Sequence, residues 1–354
     1  KQSRAMSTAT LHSAAGISLS EPVPSQWIIS RRQDLVWFIG SALIGYLALG
    51  LMALGVEVSL IQFIWFFGVD GPHVQSTITR TYFDKAERAR LGWYLWIPVP
   101  FLVLGPVMVW AGLTSLFFLF AVCWQQFHIV KQHFGFMMLY KAKNKDRDRT
   151  DFLLDRWLLL SSLLIPLGMF VLRTRPLLTQ TVPPLAWLTP VALGLYAILG
   201  TAWLLRQAQK LRSGALMNWP KLGLLLTVIP LQWLALLYAS HYGADGILRA
   251  GIALGLLHSF QYHRLMWFHN RNRYTEPGAL HRHGLAARLV PNAGVYIVIA
   301  IGLNFVLNFI PSALLPFQYA QAAVWAFPFT HYCMDARIWR VRSDKGLAAA
   351  LRMT

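Results

Sequence analysis

Apolar stretches of about 20 residues recur along the whole chain, and this feature restricts the fold more than any other. Such a stretch is long enough to cross the hydrocarbon core of a bilayer as a helix. Ten candidate spans can be drawn, near 34–55, 58–82, 93–112, 114–140, 156–172, 185–207, 219–240, 246–271, 289–310 and 316–339. The sequence therefore predicts an all-α, polytopic membrane protein with about ten transmembrane helices.

The composition excludes the other broad classes. Of the 354 residues, 56% are hydrophobic and only 13% are charged, whereas soluble proteins carry about 25% charged residues. The two cysteines, Cys123 and Cys333, lie in apolar runs, which excludes a disulfide scaffold. An aromatic content of 14% excludes a disordered chain.

The net charge of +18 follows the order of the loops. The loops after spans two, four, six, eight and ten are basic, as in DKAERAR and KAKNKDRDR, whereas VEVS, AGLTS, HYGADG and PSALLPFQ after spans one, three, seven and nine contain no Lys or Arg. Only the fifth loop, with Arg173 and Arg175, breaks this alternation. By the positive-inside rule, both termini are cytoplasmic. The charge therefore reflects topology and not a nucleic-acid partner.

Three regions follow from this topology. Residues 1–33 are predicted as a polar cytoplasmic N-terminal tail, 34–340 as the transmembrane domain and 341–354 as a cytoplasmic C-terminal tail. The expected location is the cytoplasmic membrane of a bacterium, which the chain crosses many times.

Ionisable residues inside the spans indicate a functional site, since they are costly in a bilayer. The even-numbered spans carry Asp70, His73, His128, His133, His258, His263, His269, His331 and Asp335. His73, His128, His258 and His331 each lie 12 to 15 residues from the outer end of a span, which is about 20 Å of helix rise. Four imidazoles are thus predicted at one depth, in the cytoplasmic half of the bilayer.

The spacings refine this site. Asp70 and His73 share a helix face, as do His331 and Asp335. His128/His133 and His258/His263 are both H-x4-H pairs, whose members diverge by about 140° on a regular helix. Both members of a pair can reach one site if two metals lie between the helices or if a π-bulge realigns the pair.

Imidazole and carboxylate groups are ligands for iron, zinc, copper or manganese. A site without thiolate in a membrane favours non-haem iron, one or two ions, that performs O2 chemistry on an apolar substrate. The predicted ligands are His73, His128, His133, His258, His263, His331, Asp70 and Asp335, and the predicted orienting partners are Gln132, Gln261, Tyr262 and His269. His12, His241, His281 and His283 lie outside the spans and are not assigned to the site.

Each of these residues can also have a purely structural role. A single histidine or glutamine can bind a neighbouring helix by a hydrogen bond. Asp335 can pair with Arg337 or Arg340, and Asp70 with Arg80.

The H-x4-H pairs resemble those of the integral-membrane non-haem iron desaturases, hydroxylases and alkane oxygenases, although the H-x2–3-H-H boxes typical of that group are absent. The order D-x-P-H, H-x4-H-F-G, H-x4-H and H-Y-x2-D is also similar to bacterial membrane proteins related to β-carotene oxygenases of the Brp/Blh type. The resemblance implies an iron-dependent oxygenase that acts on a long isoprenoid or similar lipid.

We therefore expect a membrane oxygenase or monooxygenase with a lipid or other apolar small molecule as substrate. Because no nucleotide-binding motif is present, a cytoplasmic partner is expected to supply the electrons. Two rival functions remain at this point: a haem-b electron-transfer or pigment-binding subunit of a membrane complex, and a transporter with a histidine-lined path.

Overall fold

The computed structural model describes residues 26–175 and 180–353, and this part of the chain is all-helical, without β-strands. The all-α prediction is thereby confirmed. The helices are α1 (Arg31–Asp34), α2 (Ala42–Ala53), α3 (Val58–Trp65), α4 (Gly71–Thr81), α5 (Lys85–Leu91), α6 (Pro98–Trp110), α7 (Thr114–Lys143), α8 (Arg149–Thr174), α9 (Leu188–Arg212), α10 (Trp219–Ala239), α11 (Gly246–Arg273), α12 (Ala279–His283), α13 (Leu285–Leu289), α14 (Ala293–Leu314), α15 (Phe317–Val324), α16 (Ala326–Ile338) and α17 (Lys345–Ala350). Short turns join several of them: π-helical at Leu35–Ile39 and Phe66–Asp70, and 3₁₀ at Gly92–Trp96, Pro183–Trp187 and Ser240–Asp245.

Six helical segments of the described chain are long and apolar enough to cross a membrane, which identifies a membrane protein. They are Arg31–Ala53, Lys85–Trp110, Arg149–Thr174, Pro183–Arg212, Trp219–Gly243 and Ala293–Leu314. They correspond to the first, third, fifth, sixth, seventh and ninth predicted spans. The other four predicted spans, which carry the site histidines, are also helical. The count of ten crossings stays a prediction.

The histidine-bearing helices lie inside the molecule. Helix α11 packs against α2 and α10 and also contacts α7, while α4 packs between α14 and α16. Residues of α11 are buried along most of its length, whereas in α9 only Trp203 is buried. The inner helices can be polar because the outer helices cover them, as expected for a helical membrane protein.

Polar side chains cap several helices at their N-termini, where backbone N–H groups lack intrahelical acceptors. The caps are Asp84 for α5, Asp148 for α8, Asn218 for α10, Asn292 for α14 and Asp344 for α17. Four of them lie in loops that the charge pattern places in the cytoplasm, and the fifth, Asn292, lies three residues inside the ninth predicted span, at its cytoplasmic end. Several helices that follow a basic loop therefore begin with a polar N-cap side chain.

A buried network of charges joins three helices near these loops. The Lys141 and Lys221 ammonium groups each lie 2.8 Å from Asp155 and 3.1 Å from Asp146. The indole of Trp203 in α9 also donates to Asp155, at 2.9 Å. The network fixes α7, α8 and α10 to one another, because each buried charge has partners of opposite sign.

The described ends of the chain pack against the helical domain. The N–H of Ile28, a buried residue, donates to the Asp34 carboxylate. At the other end, α17 packs against α11 and buries Leu347 and Leu351. Most of the segment predicted as an N-terminal tail, including His12, lies outside the described residues.

Candidate metal centre

Four histidines from four separate helices meet at one point inside the protein. His73 of α4, His128 of α7, His258 of α11 and His331 of α16 each direct a ring nitrogen towards the others, and these four atoms lie within 4.8 Å of one another. All four residues are buried. The four imidazoles that the sequence predicts at one depth therefore form one buried cluster, while their depth in a bilayer stays a prediction.

The separations between the ring nitrogens fit a single metal ion. The Nε2 atoms of His73 and His258 are 3.2 Å apart, as are those of His128 and His331. Two imidazoles bound about 2.0–2.1 Å from a tetrahedral metal have their nitrogens roughly 3.3 Å apart. These two pairs therefore have the separation expected for ligands of one metal ion, and the cluster could hold a metal, although this geometry leaves its identity open.

Hydroxyl groups hold two of the rings from behind. The Ser259 hydroxyl donates to Oδ1 of Asp70 at 2.8 Å and lies 3.0 Å from Nδ1 of His73. Because its proton is used on Asp70, Ser259 accepts the Nδ1 proton of His73, which leaves the lone pair of Nε2 facing the cluster. This is the arrangement that orients a metal-binding histidine.

A second arrangement of the same kind lies behind His331. Its Nδ1 is 2.6 Å from the hydroxyl of Thr77 and 3.7 Å from Oδ1 of Asp335. The Tyr262 hydroxyl donates to the same carboxylate oxygen at 2.9 Å. Asp70 and Asp335 thus lie next to the imidazoles, on the sides that face away from the other rings.

The remaining two histidines are held mainly by packing. His128 stacks on Tyr332, with ring centroids 4.3 Å apart. The carbonyl of His258 accepts a hydrogen bond from Gln132 at 2.9 Å, and Gln132 also donates to Gln261 at 3.3 Å. The two glutamines therefore contact backbone carbonyls and each other in these hydrogen bonds, and not the imidazole rings.

The other predicted site histidines are not members of this cluster. Both ring nitrogens of His263 have partners, the Tyr296 hydroxyl at 2.9 Å and the carbonyl of Val69 at 3.0 Å. Neither ring nitrogen of His133 has a hydrogen-bond partner among the described residues, and the ring is buried. Only one member of each H-x4-H pair therefore reaches the cluster, as the divergence on a regular helix requires.

His269 lies further along α11, away from the four histidines. Its Nδ1 is 3.1 Å from the amide oxygen of Asn270, and its ring contacts those of Tyr274 and Trp339. The ion pairs considered for the two carboxylates are also not formed. Within residues 26–175 and 180–353, neither Asp70 nor Asp335 has an arginine at ion-pair distance.

A π-helical turn comes directly before α4, the helix that carries His73. The turn Phe66–Asp70 continues into α4 without a break, and the Gly71 N–H donates to the carbonyl of Phe66. A Cβ at Gly71 would lie 2.2 Å from the side chain of Asn304, so any other residue here would displace that side chain. Asn304 in turn donates to the Phe66 carbonyl at 3.2 Å. The π-turn and the close approach together set the rotation of His73, as is common for π-bulges at functional sites.

A mostly apolar cavity of about 630 Å³ borders the cluster. Three of the four cluster histidines, His73, His128 and His258, form part of the cavity wall. The cavity extends to Leu248 near the start of α11, ten residues before His258, which is about 15 Å of helix rise. Its volume is within the range of small-molecule sites, roughly 300–1,000 Å³.

Apart from the histidines and Asp70, the polar groups in the cavity wall are mainly amides and hydroxyls. They come from α3, α14 and α15 and from α7, and they are Gln62, Asn308, Ser312, Gln321 and Gln125. A ligand there would meet apolar walls along its length, imidazoles at one end and amides or hydroxyls elsewhere.

Sequence reasoning missed the two hydroxyl residues behind the rings. Thr77 is four residues after His73, on the same face of α4, and Ser259 directly follows His258. The spacing of Thr77 from His73 could have indicated its role. The position of Ser259 next to His258 could not, because adjacent residues on a helix face different directions. Comparison with protein-family models, with curated proteins and with solved structures gave no match.

Proposed function

We propose that this protein is a membrane-embedded, iron-dependent oxygenase that acts on a lipid, an isoprenoid or another apolar molecule. One observation carries this proposal: four buried imidazoles converge at the wall of an apolar cavity inside a membrane protein. A redox-active metal beside an apolar compartment is the arrangement that O2 chemistry on a hydrocarbon needs.

Burial supports a metal in preference to a purely structural histidine cluster. The hydrogen bonds behind His73 point its Nε2 lone pair into the cluster. A cation that accepts four lone pairs satisfies every inward-facing nitrogen at once. The neutral donor set also leaves the charge of the ion uncompensated, so that Asp70 and Asp335 nearby would balance it.

The close approach of all four rings argues against haem as the alternative cofactor. Two axial histidines of a haem lie on opposite faces of the macrocycle, with nothing else in its plane. Here the nitrogens of all four rings lie within 4.8 Å of one another, so any pair has the other two where the macrocycle would be. Zinc and copper share these ligands, and they are separated from iron by metal analysis.

In the membrane, we propose ten crossings with both termini in the cytoplasm, in the cytoplasmic membrane of a bacterium. Four polar helix caps support this topology, because Asp84, Asp148, Asn218 and Asp344 lie in the same loops as the basic residues. The cluster then lies in the cytoplasmic half of the bilayer, and the cavity extends from it towards the opposite side.

Each part of the site has a task in this proposal. His73, His128, His258 and His331 would hold one iron, which when bound supplies O2 activation. Ser259 and Thr77 would each accept the Nδ1 proton of one imidazole and so keep its Nε2 available for the metal. The cavity wall, including Trp65 and Tyr332, aligns the apolar substrate and excludes water. A cytoplasmic electron donor completes the reaction.

The test is to purify the protein in mild detergent and to measure its metals by mass spectrometry together with its visible spectrum. We expect about one iron per chain without a Soret band. His258→Ala should lose the metal, and the exposed His241 offers the matched control His241→Ala, which should keep it. A Soret band would instead indicate a haem carrier, and protein without metal or chromophore would favour the transporter. Metal retained by His258→Ala would overturn the assignment of the site.

A further inference from the structure

One glutamine in the cavity wall lacks a hydrogen-bond partner. Gln125 of α7 lines the cavity, and within residues 26–175 and 180–353 its side-chain amide makes no hydrogen bond. The amide of the next residue, Gln126, donates to the carbonyl of Leu163 at 3.4 Å. Gln125 is half-buried among apolar helices, where an amide without a partner costs free energy. A molecule in the cavity could therefore supply the missing partner.

Other glutamines of the inner helices join one part of the fold to another. The amides of Gln132, Gln232 and Gln261 each donate to a main-chain carbonyl group of a different segment, at 2.9 Å, 3.0 Å and 2.7 Å. Such contacts between helices are the usual role of glutamine in a helical membrane protein. Gln125 has no such contact in the described part of the chain, so its amide is available to a ligand.

Gln125 lies close to the metal centre. It is three residues before His128 on α7, which is about 4.5 Å of helix rise, and the two side chains share a helix face. Both side chains line the cavity. From the level of His258, the cavity continues along α11 to Leu248, about 15 Å away along the helix axis. A ligand whose polar group meets Gln125 would thus keep that group near the four histidines and place its apolar part in the remaining space.

The cavity wall carries no group that would balance an anionic ligand. None of the described residues in the wall is Lys or Arg. The carboxylates beside the cluster, Asp70 and Asp335, would balance a divalent metal ion, and the metal would repel a cationic ligand. Because a buried charge without a counter-charge costs far more than a buried neutral group, the polar group of the ligand should be uncharged.

The other amides and hydroxyls of the wall differ from Gln125. The Ser312 hydroxyl donates to the Asn308 carbonyl at 2.8 Å, and the Asn308 amide donates to the residue one turn earlier in α14, at 2.7 Å. The donor groups of both side chains are therefore already used. Gln62 of α3 is exposed, so that solvent or lipid head groups can reach it. Gln125 therefore has the free donor group that a ligand beside the cluster is best placed to use.

We propose that the cavity takes an uncharged amphiphile, a long apolar molecule that ends in a hydroxyl or carbonyl group, and that Gln125 binds this group beside the metal centre. An amide both donates and accepts, so it matches either group, whereas a pure hydrocarbon leaves it unpaired. The inference rests on the proposed function and narrows its substrate class. The carbon atoms next to the polar group are then the ones nearest to the histidines.

Three fluorescent probes of one shape test this inference: diphenylhexatriene, its hydroxymethyl derivative and its carboxylate. Each probe accepts energy from tryptophan, and Trp65 and Trp325 line the cavity. The purified protein in mild detergent is titrated with each probe at neutral pH, and saturable energy transfer gives the dissociation constant. Transfer that persists in Gly251→Leu, whose new side chain would occupy the cavity, is subtracted as partition into the detergent. The wild-type protein should bind the hydroxymethyl probe more tightly than the other two.

Gln125→Met keeps the length of the side chain and removes its amide. Its affinity for the hydroxymethyl probe should fall by roughly 3–10-fold, the value of one net hydrogen bond, while the hydrocarbon probe should bind at least as tightly as before. A purely structural role of Gln125 would weaken the binding of both probes alike. Gln125→Leu provides the same test if Gln125→Met fails to fold. The matched control is Gln318→Met, which should keep every affinity because Gln318 is exposed and is not part of the cavity wall.

Each outcome decides a separate point. Equal affinities of the wild-type protein for the hydroxymethyl and hydrocarbon probes, or an unchanged preference in Gln125→Met, would overturn the inference. Tightest binding of the carboxylate would overturn the uncharged class, and a preference lost in Gln62→Met instead would overturn the position of the polar group.

Metal analysis of the same samples separates this inference from the proposed function. A preference that depends on Gln125, in a protein that contains no iron when isolated, would support the inference and overturn the iron oxygenase. Iron in a protein without any preference among the probes would overturn the inference alone.

Discussion

The hydroxyl of Thr77 lies 2.6 Å from Nδ1 of His331, although the two residues are 254 positions apart in the chain. This contact joins α4 to α16 directly behind the cluster. It fixes the rotation of the His331 ring, whose Nε2 atom faces the cluster. The binding strength of the centre should therefore depend on a residue that is not itself a ligand.

Thr77→Val removes this hydroxyl with almost no change of shape. We expect the affinity for metal to fall by roughly 10–100-fold, the usual cost of losing a partner of a metal-binding histidine. Competition with a chelator of known affinity measures the change. Thr79→Val in the same helix is the control, because the Thr79 hydroxyl donates only to the nearby Ser76 carbonyl. Equal affinities in the two variants would contradict the role of Thr77.

The cavity can be filled without touching the histidines. Gly251 lines it, and a Cβ at this position would meet no atom within 4 Å. Gly251→Leu should therefore fold and keep its metal, but should lose saturable binding of an apolar probe such as all-trans retinol, followed by retinol fluorescence. Gly168→Leu is the control, since Gly168 also has open space around it and is not part of the cavity wall. Undiminished binding in Gly251→Leu would place the substrate elsewhere.

The position of the four histidines along their helices could be predicted from the sequence, but the direction of their side chains around each helix axis could not. Helix rise converts a residue count into a depth, which is why His73, His128, His258 and His331 were found together. Which way a side chain points depends on how each helix is turned, and at His73 the π-turn Phe66–Asp70 changes that angle. No local pattern marks such a turn.

Because the direction of a side chain cannot be read from the sequence, the contacts of several residues could not be predicted either. His133 and His263 lie on the helices that carry His128 and His258, but they point elsewhere because five residues correspond to about 140° of rotation. Trp339 carried no signal at all, since an aromatic residue at the end of a span is usually an interfacial anchor. Its contacts with Tyr262 and His269 arise because the chain at the end of α16 comes next to α11 in the folded protein.

The buried charge network should dominate stability at the cytoplasmic side. Asp155 accepts from Lys141, Lys221 and Trp203, all at 2.8–2.9 Å. Asp155→Ala leaves two buried ammonium groups with only Asp146, and we expect a loss of about 3–5 kcal/mol in the free energy of unfolding. Unfolding in detergent measures this loss. Glu276→Ala is the control, because Glu276 and its partner Arg282 are both exposed and the change should cost little. Similar stabilities of the two variants would show that the network is dispensable.

The Asp146 carboxylate should make this stability depend on pH. Burial raises its pKa, but the ammonium groups of Lys221 and Lys141, each 3.1 Å away, outweigh burial and lower the pKa below its ordinary value. A lowered pKa in the folded state contributes stability above the ordinary value, about 3.9, and this contribution is lost as the pH falls through the folded-state pKa.

The wild-type protein should therefore unfold more easily in mild acid than at neutral pH, with the loss confined to the range below roughly pH 4–5. Asp146→Asn retains the shape of the side chain and removes its titration. The variant should be less stable than the wild type at neutral pH, and the difference between the two should shrink as the acid range is entered. Unfolding midpoints measured in detergent across this range test both points. A constant difference at every pH would show that Asp146 does not contribute through its charge.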